Sequence, residues 1–125
     1  MTENEISYIV RGAVFDVYRE LGPGLLESAY ESALYFELLN AGLKVKKQLA
    51  LPLVYKDIQL DCGYRIDLLV EGKVIIELKS IEYILPVHHK QLLTYMKLTG
   101  IKLGLLINFN ESNIQNGIFR KVLGL

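Results

Sequence analysis

Apolar residues recur at helical spacing through the first third of the chain. Ile6, Ile9, Val10, Ala13, Val14, Val17, Tyr18 and Leu21 form one stripe, which predicts an amphipathic helix from about Glu3 to Leu21. Gly22-Pro23-Gly24 ends it, because Gly22 can take a left-handed cap and Pro23 lacks the amide that a continuing helix needs. A second stripe of Leu26, Ala29, Tyr30, Ala33, Leu34 and Leu38 predicts a helix from about Leu25 to Asn40, stopped at Gly42. Then the period shortens to two.

Leu49, Leu51, Leu53 and Tyr55 alternate with other residues as one strand, Lys56-Asp57 reads as a turn, and Ile58 to Asp61 begins the next strand. The runs Arg65-Ile66-Asp67-Leu68-Leu69-Val70 and Val74-Ile75-Ile76-Glu77-Leu78-Lys79 follow. They are apolar enough for interior strands, yet each carries charge. Pro86 suits the first turn of a third helix reaching Thr99 and closed by Gly100. Lys102 to Asn108 is a buried strand, Asn108-Phe109-Asn110 a loop, and Gly117 to Leu123 a short last strand. The predicted order is ααβββαββ, an α/β (α+β) arrangement in which helices flank a mixed sheet. A length of 125 residues makes residues 1–125 a single domain with a real core.

The charges on the two acid-bearing runs change the picture. An unpaired charge on a covered strand costs several kcal/mol or loses its ionisation. Two carboxylates and an ammonium can satisfy one another, and a divalent cation satisfies the carboxylates better still. Glu77 and Lys79 share a strand face. Asp67 joins that face if the connection has an odd number of residues. A Val70-Glu71-Gly72 loop with Gly72 left-handed in a bulge puts Asp67 opposite Ile75 and makes it a diagonal neighbour of Glu77. The site is then one for Mg²⁺, with Mn²⁺ as substitute, and a water beside a phosphodiester. Lys79 is expected to lie against Asp67 or Glu77 when no cation is bound.

Other candidates surround this pair. His88, Gln91 and Tyr95 form one stripe of the third helix and can look back at the carboxylates, with His88 and His89 as phosphate contacts. Glu27 and Tyr30 share a face at the start of the second helix, where an acid is also favoured by the helix dipole. The one cysteine and two adjacent histidines exclude a structural zinc site, and Cys62 reads as a small buried thiol.

Composition adds little. Net charge is zero, so nothing in the total favours a nucleic-acid partner. Its distribution is uneven: seven acids face two arginines up to Leu43, and twelve basic residues face seven acids afterwards. A basic rim of Lys44, Lys46, Lys47 and Lys56 is one reading of that asymmetry, and a homodimer pools two such rims. No apolar run is long enough to span a membrane. The acidic first residues are unlike a signal peptide, and one cysteine suits a reducing compartment, so a cytoplasmic location is expected.

Taken in order, Gly24-x-x-Glu27-x-x-Tyr30, Gly63-x-Arg65-x-Asp67, Glu77-x-Lys79 and His88-x-x-Gln91-x-x-x-Tyr95 resemble the small bacterial and archaeal GxxExxY proteins, placed in the PD-(D/E)xK nuclease superfamily. Ile66 stands where the superfamily's name has proline. The resemblance implies a restriction-endonuclease-like αβββαβ core with an Mg²⁺ site. It implies Asp67 and Glu77 as metal ligands helped by the Leu78 carbonyl, and Lys79 as the residue that orients or activates the attacking water. It implies Gln91 as an auxiliary polar residue and Glu27 as the extra acid that some resolvase-like members contribute. His88, Tyr95, Tyr30 and Arg65 are candidate substrate contacts. The expected activity is metal-dependent hydrolysis of DNA phosphodiester bonds. The rival is a non-catalytic module on the same fold that binds nucleic acid or a protein.

Overall fold

The computed structural model describes Met1–Leu125. Helix α1 (Glu3–Leu21) opens with a reciprocal cap, in which the Glu5 amide donates to Thr2 Oγ1 and the Thr2 amide to Glu5 Oε1, both at 3.1 Å. It ends at Gly22, whose φ of 65° favours glycine. Helix α2 (Glu27–Asn40) starts two residues later than its apolar stripe suggests, because Leu26 caps it in extended conformation. Helix α3 (Pro86–Thr99) begins on its proline and stops at left-handed Gly100.

Five strands form the main sheet in the order β1-β4-β5-β6-β7: β1 (Val45–Ala50), β4 (Arg65–Val70), β5 (Val74–Lys79), β6 (Leu103–Asn108) and β7 (Ile118–Val122). Only β5 and β6 pair in parallel, across the α3 crossover. The outer strands β1 and β7 are the edges, and β5 and β6 are buried along almost their whole length. That is why they read as apolar on both faces. Helices α1 and α2 cover one face, burying Val74, Ile76 and Leu78 of β5 with Leu103, Leu105 and Ile107 of β6. Helix α3 covers the other through Leu92, Tyr95 and Met96, against Ile66, Ile75 and Leu106. It lies close because Gly104 has no side chain: a Cβ there would sit 2.7 Å from Leu92 Cδ1 and 2.8 Å from Met96 Sδ.

Two strands differ from expectation. The alternation from Leu49 to Tyr55 is not one strand. Pro52 cannot donate to a ladder, so β1 ends at Ala50 and the chain leaves the sheet. It returns as a separate hairpin of β2 (Leu53–Tyr55) and β3 (Ile58–Leu60), turned through Lys56 and Asp57 with φ of 48° and 67°. Five strands therefore separate α2 from α3, where three were expected, and a 3₁₀ turn (Ile114–Gly117) precedes β7. Cys62 is exposed rather than buried, because it lies in the connection from this hairpin to β4, which carries none of the core.

The turn between the acid-bearing strands does have an odd length. It consists of Glu71, Gly72 and Lys73, one residue further along than expected, with both Glu71 (φ 54°) and Gly72 (φ 65°) left-handed. The ladder pairs Val70 with Val74, Leu69 with Ile75 and Leu68 with Ile76. Continued by one step, it brings Asp67 across from Glu77 rather than from Ile75.

Candidate active site

Pairing between β4 and β5 stops at Leu68–Ile76 although both strands run on. Side-chain bonds take over. The Leu78 amide donates to Asp67 Oδ2 at 2.8 Å, and the Asp67 amide donates to Glu77 Oε1 at 3.3 Å. Face alternation also breaks here: Ile66 packs on the α3 side and Leu68 on the α1/α2 side. The Asp67 carboxylate therefore lies between the strands, where they fork, and meets Glu77 coming from the α3 face.

Glu77 is 4% exposed. Burial, and then the Asp67 carboxylate beside it, push its pKa up to about 9. At neutral pH that shift favours its protonated form. The expected partner offsets this only in part. Lys79 is half-buried and forms no ion pair with either acid, the sole ion pair of the chain being Asp16–Arg19. Lys79 sits at the strand end, partly in water. Its backbone carbonyl accepts from the Phe109 amide at 2.9 Å, which fixes the strand end.

On the α2 side of Asp67 is a cavity of about 260 Å³ lined by Glu27, Ser28, Glu31, Gln48, Asp67 and Leu78. Glu27 reaches it from the first turn of α2 and accepts from the Ser80 amide at 3.4 Å. Glu27 and Asp67 thus line one cavity. Gln48 and Glu31 were not foreseen. Gln48 Nε2 donates to Glu31 Oε1 at 2.6 Å and to Asp67 Oδ1 at 3.4 Å, from a backbone with φ of 51°. Glu31 follows Glu27 by four residues, a spacing that marks one helix face. Gln48 could be found only by knowing that β1 pairs with β4. Buried Asn108 clamps the loop after β5, donating to the Ile81 carbonyl at 2.9 Å and accepting from the Ile81 amide at 3.1 Å.

On the α3 side, Tyr95 is buried. Desolvation and then the Glu77 carboxylate raise its pKa, and Gln91 Nε2 donates to its hydroxyl at 3.1 Å. Tyr95 is thus the member of the α3 stripe that feels the acids. The histidines of α3 behave otherwise. His88 Nδ1 accepts from the Leu85 amide at 2.9 Å and so serves the helix start. His89 turns to Phe119 of β7, and burial lowers its pKa.

Tyr30 has no surface to offer a substrate. It is fully buried, stacked on Phe109 at 4.3 Å, and its hydroxyl donates to the Gly22 carbonyl and accepts from the Leu25 amide. It ties down the turn that positions Glu27. Arg65 is exposed at the start of β4, reaching the Gln48 carbonyl at 3.5 Å. Lys44 and Lys46 line another cavity of about 730 Å³ with Lys73, at the turn end of β4 and β5. Lys47 lies over Tyr35 and Lys56 over Tyr55. The lysines are therefore dispersed and do not rim the acid pair.

No three acidic, histidine or cysteine side chains converge to hold an ion by themselves. Two carboxyl groups each tied to the other's strand, one with its pKa raised by burial, nevertheless suit a hard cation that keeps several waters, as Mg²⁺ does. A family model for the PD-(D/E)XK nuclease superfamily matches residues 4–121, and the chain belongs to that superfamily. Its α+β fold is consistent with the restriction-endonuclease-like architecture. No curated protein and no solved structure matches the chain. Nucleases of this superfamily generally use divalent metals. No helix is long and apolar enough to cross a membrane.

Proposed function

We propose that this protein is a metal-dependent nuclease that hydrolyses DNA phosphodiester bonds. The observation that carries the reading is the Asp67–Glu77 pair: a nearly inaccessible acid held beside a second one, with no ion pair to either. Asp67, Glu77 and the Leu78 carbonyl are the residues to hold Mg²⁺ or Mn²⁺. When bound, the ion supplies charge neutralisation at the phosphate and acidifies its water.

The chain's own groups do the rest. Lys79 has an ammonium free of ion pairs two residues from Glu77 and orients the attacking water by hydrogen bonding. Water oxygen adds to phosphorus and gives up a proton to solvent, while the bond to the leaving oxygen breaks and that oxygen takes a proton from solvent. Glu27 supplies a further acceptor on the Asp67 side. Gln91 holds the Tyr95 hydroxyl and through it the environment of Glu77. The chain works as a cytoplasmic protein, and a second copy would enlarge its limited basic surface.

The test is cleavage of DNA at low salt by wild type, Asp67→Ala and Glu77→Ala, with Mg²⁺ or Mn²⁺ and with EDTA. Wild type cuts with a cation only, and neither variant cuts. Equal cleavage by wild type and Asp67→Ala refutes the reading. No cleavage by wild type with cation shown to be bound leaves the binding module in its place.

A further inference from the structure

The two sides of the acid pair are chemically unlike. On the α2 side the cavity wall carries Glu27, Glu31 and Asp67, which repel a phosphate. On the α3 side a groove of about 340 Å³ is lined by Tyr64, His88, Lys90, Gln91 and Tyr95, with no acid in its wall. A polyanionic strand therefore meets the site from the α3 side.

The groove is continuous with the site. Tyr64 stands three residues before Asp67, and its ring meets Tyr95 edge-on at 6.1 Å while 39% of it stays exposed. Tyr95 in turn packs with Ile66 and Ile75, neighbours of the two acids on β4 and β5. Lys90 is exposed and free of ion pairs. Gln91 and the Nε2 of His88 add hydrogen-bonding atoms along the same wall.

An exposed aromatic ring next to a free ammonium suits stacking of one base with contact to a neighbouring phosphate, whatever the base. A duplex keeps its bases stacked on one another and offers such a ring only backbone. We infer that the α3 groove is a subsite for an unpaired nucleotide of a nucleic-acid strand, with Tyr64 as its stacking surface and Lys90 as the contact to the flanking phosphate. This rests on the nuclease reading and names its substrate class: single-stranded or locally unpaired nucleic acid.

Anisotropy of a fluorescein-labelled oligothymidylate and of a blunt duplex hairpin tests it at low salt, with Ca²⁺ replacing Mg²⁺ to prevent cleavage. Tyr64→Ala weakens single-strand binding by roughly 5- to 100-fold, as loss of one stacked base implies, and changes duplex binding by less than about twofold. Tyr64→Phe binds like wild type. Tyr64→Leu keeps bulk against Tyr95 but has no ring, and behaves as Tyr64→Ala. Lys90→Ala weakens both forms alike and lowers the salt slope by about one. Mn²⁺ affinity, read by calorimetry, is unchanged in every one of these variants.

Unchanged single-strand affinity in Tyr64→Ala overturns the inference. So does an equal loss on both DNA forms, or no measurable single-strand binding by wild type. Binding is read without turnover, so failure of the nuclease reading shows separately, as wild type that binds the strand and does not cut it in Mg²⁺.

Discussion

Asp67 donates its backbone amide to the Glu77 carboxylate at 3.3 Å, and its own carboxylate accepts the amide of the residue after Glu77 at 2.8 Å. The two acids thus hold each other in place through the backbone of the partner strand.

Glu77 gives the metal-free protein a definite pH dependence. Its folded pKa of about 9 lies above the ordinary value of 4.5, so the folded chain keeps a proton that the unfolded chain releases. Stability from this group is complete below the ordinary value and is lost as pH rises through the folded one. In EDTA, the urea midpoint of wild type should fall relative to Glu77→Gln across that window. The amide variant should be the more stable protein at its alkaline end. A wild-type midpoint that rises against the variant with pH would contradict the protonated state.

Lys79 separates catalysis from structure. With no ion pair to lose, Lys79→Ala should change stability by no more than about 0.5 kcal/mol and leave Mn²⁺ binding intact. Cleavage should drop by roughly 10²- to 10⁴-fold. Retained cleavage removes Lys79 from the chemistry.

For Glu27 the competing explanation is the helix dipole, worth about 0.3–1 kcal/mol at an exposed first turn. Glu27→Gln should melt within a few degrees of wild type, yet lose roughly 10- to 100-fold in cation affinity or cleavage, as residues supporting a metal ligand do. A variant with lower stability and unaltered activity would reduce Glu27 to a capping residue.

Gly104 should be intolerant of alanine. The added methyl meets Leu92 and Met96 below 3 Å, an overpacking that costs about 1–3 kcal/mol. Either the Leu92 and Met96 side chains repack or helix α3 shifts, and Tyr95, which packs with them, is disturbed in both cases. Thermal melting and the Tyr95 titration should both move. If neither does, α3 is less firmly seated on β6 than the contact distances imply.

Much of this arrangement is legible along the chain because periodicity is local. The helices, their glycine stops, the acid-bearing strands and the odd turn all follow from neighbours in sequence. What is missed depends on partners distant in sequence. Gln48 looks like an ordinary edge residue until β1 is laid beside β4. Tyr30 carries a hydroxyl suited to a substrate, but Phe109, 79 positions later, closes over it. Lys79 was assigned a partner by charge alone. That argument fails because an acid crowded by another acid can protonate instead. Leu49 to Tyr55 alternates correctly for one strand, and Pro52 was the signal that it is two.

The hairpin of β2 and β3 joins neither core cluster and leaves Val54, Tyr55 and Ile58 largely in solvent. A two-stranded hairpin is marginal by itself, so this segment should open far more often than the molecule unfolds. Its amides should exchange with solvent almost at the rate of a free peptide while those of β5 and β6 stay protected. A protease should nick the chain near Lys56 with both fragments still associated. The same looseness makes Lys56-Asp57 a natural place to graft a tag or a second domain, because the acid-bearing strand pair would not register the insertion.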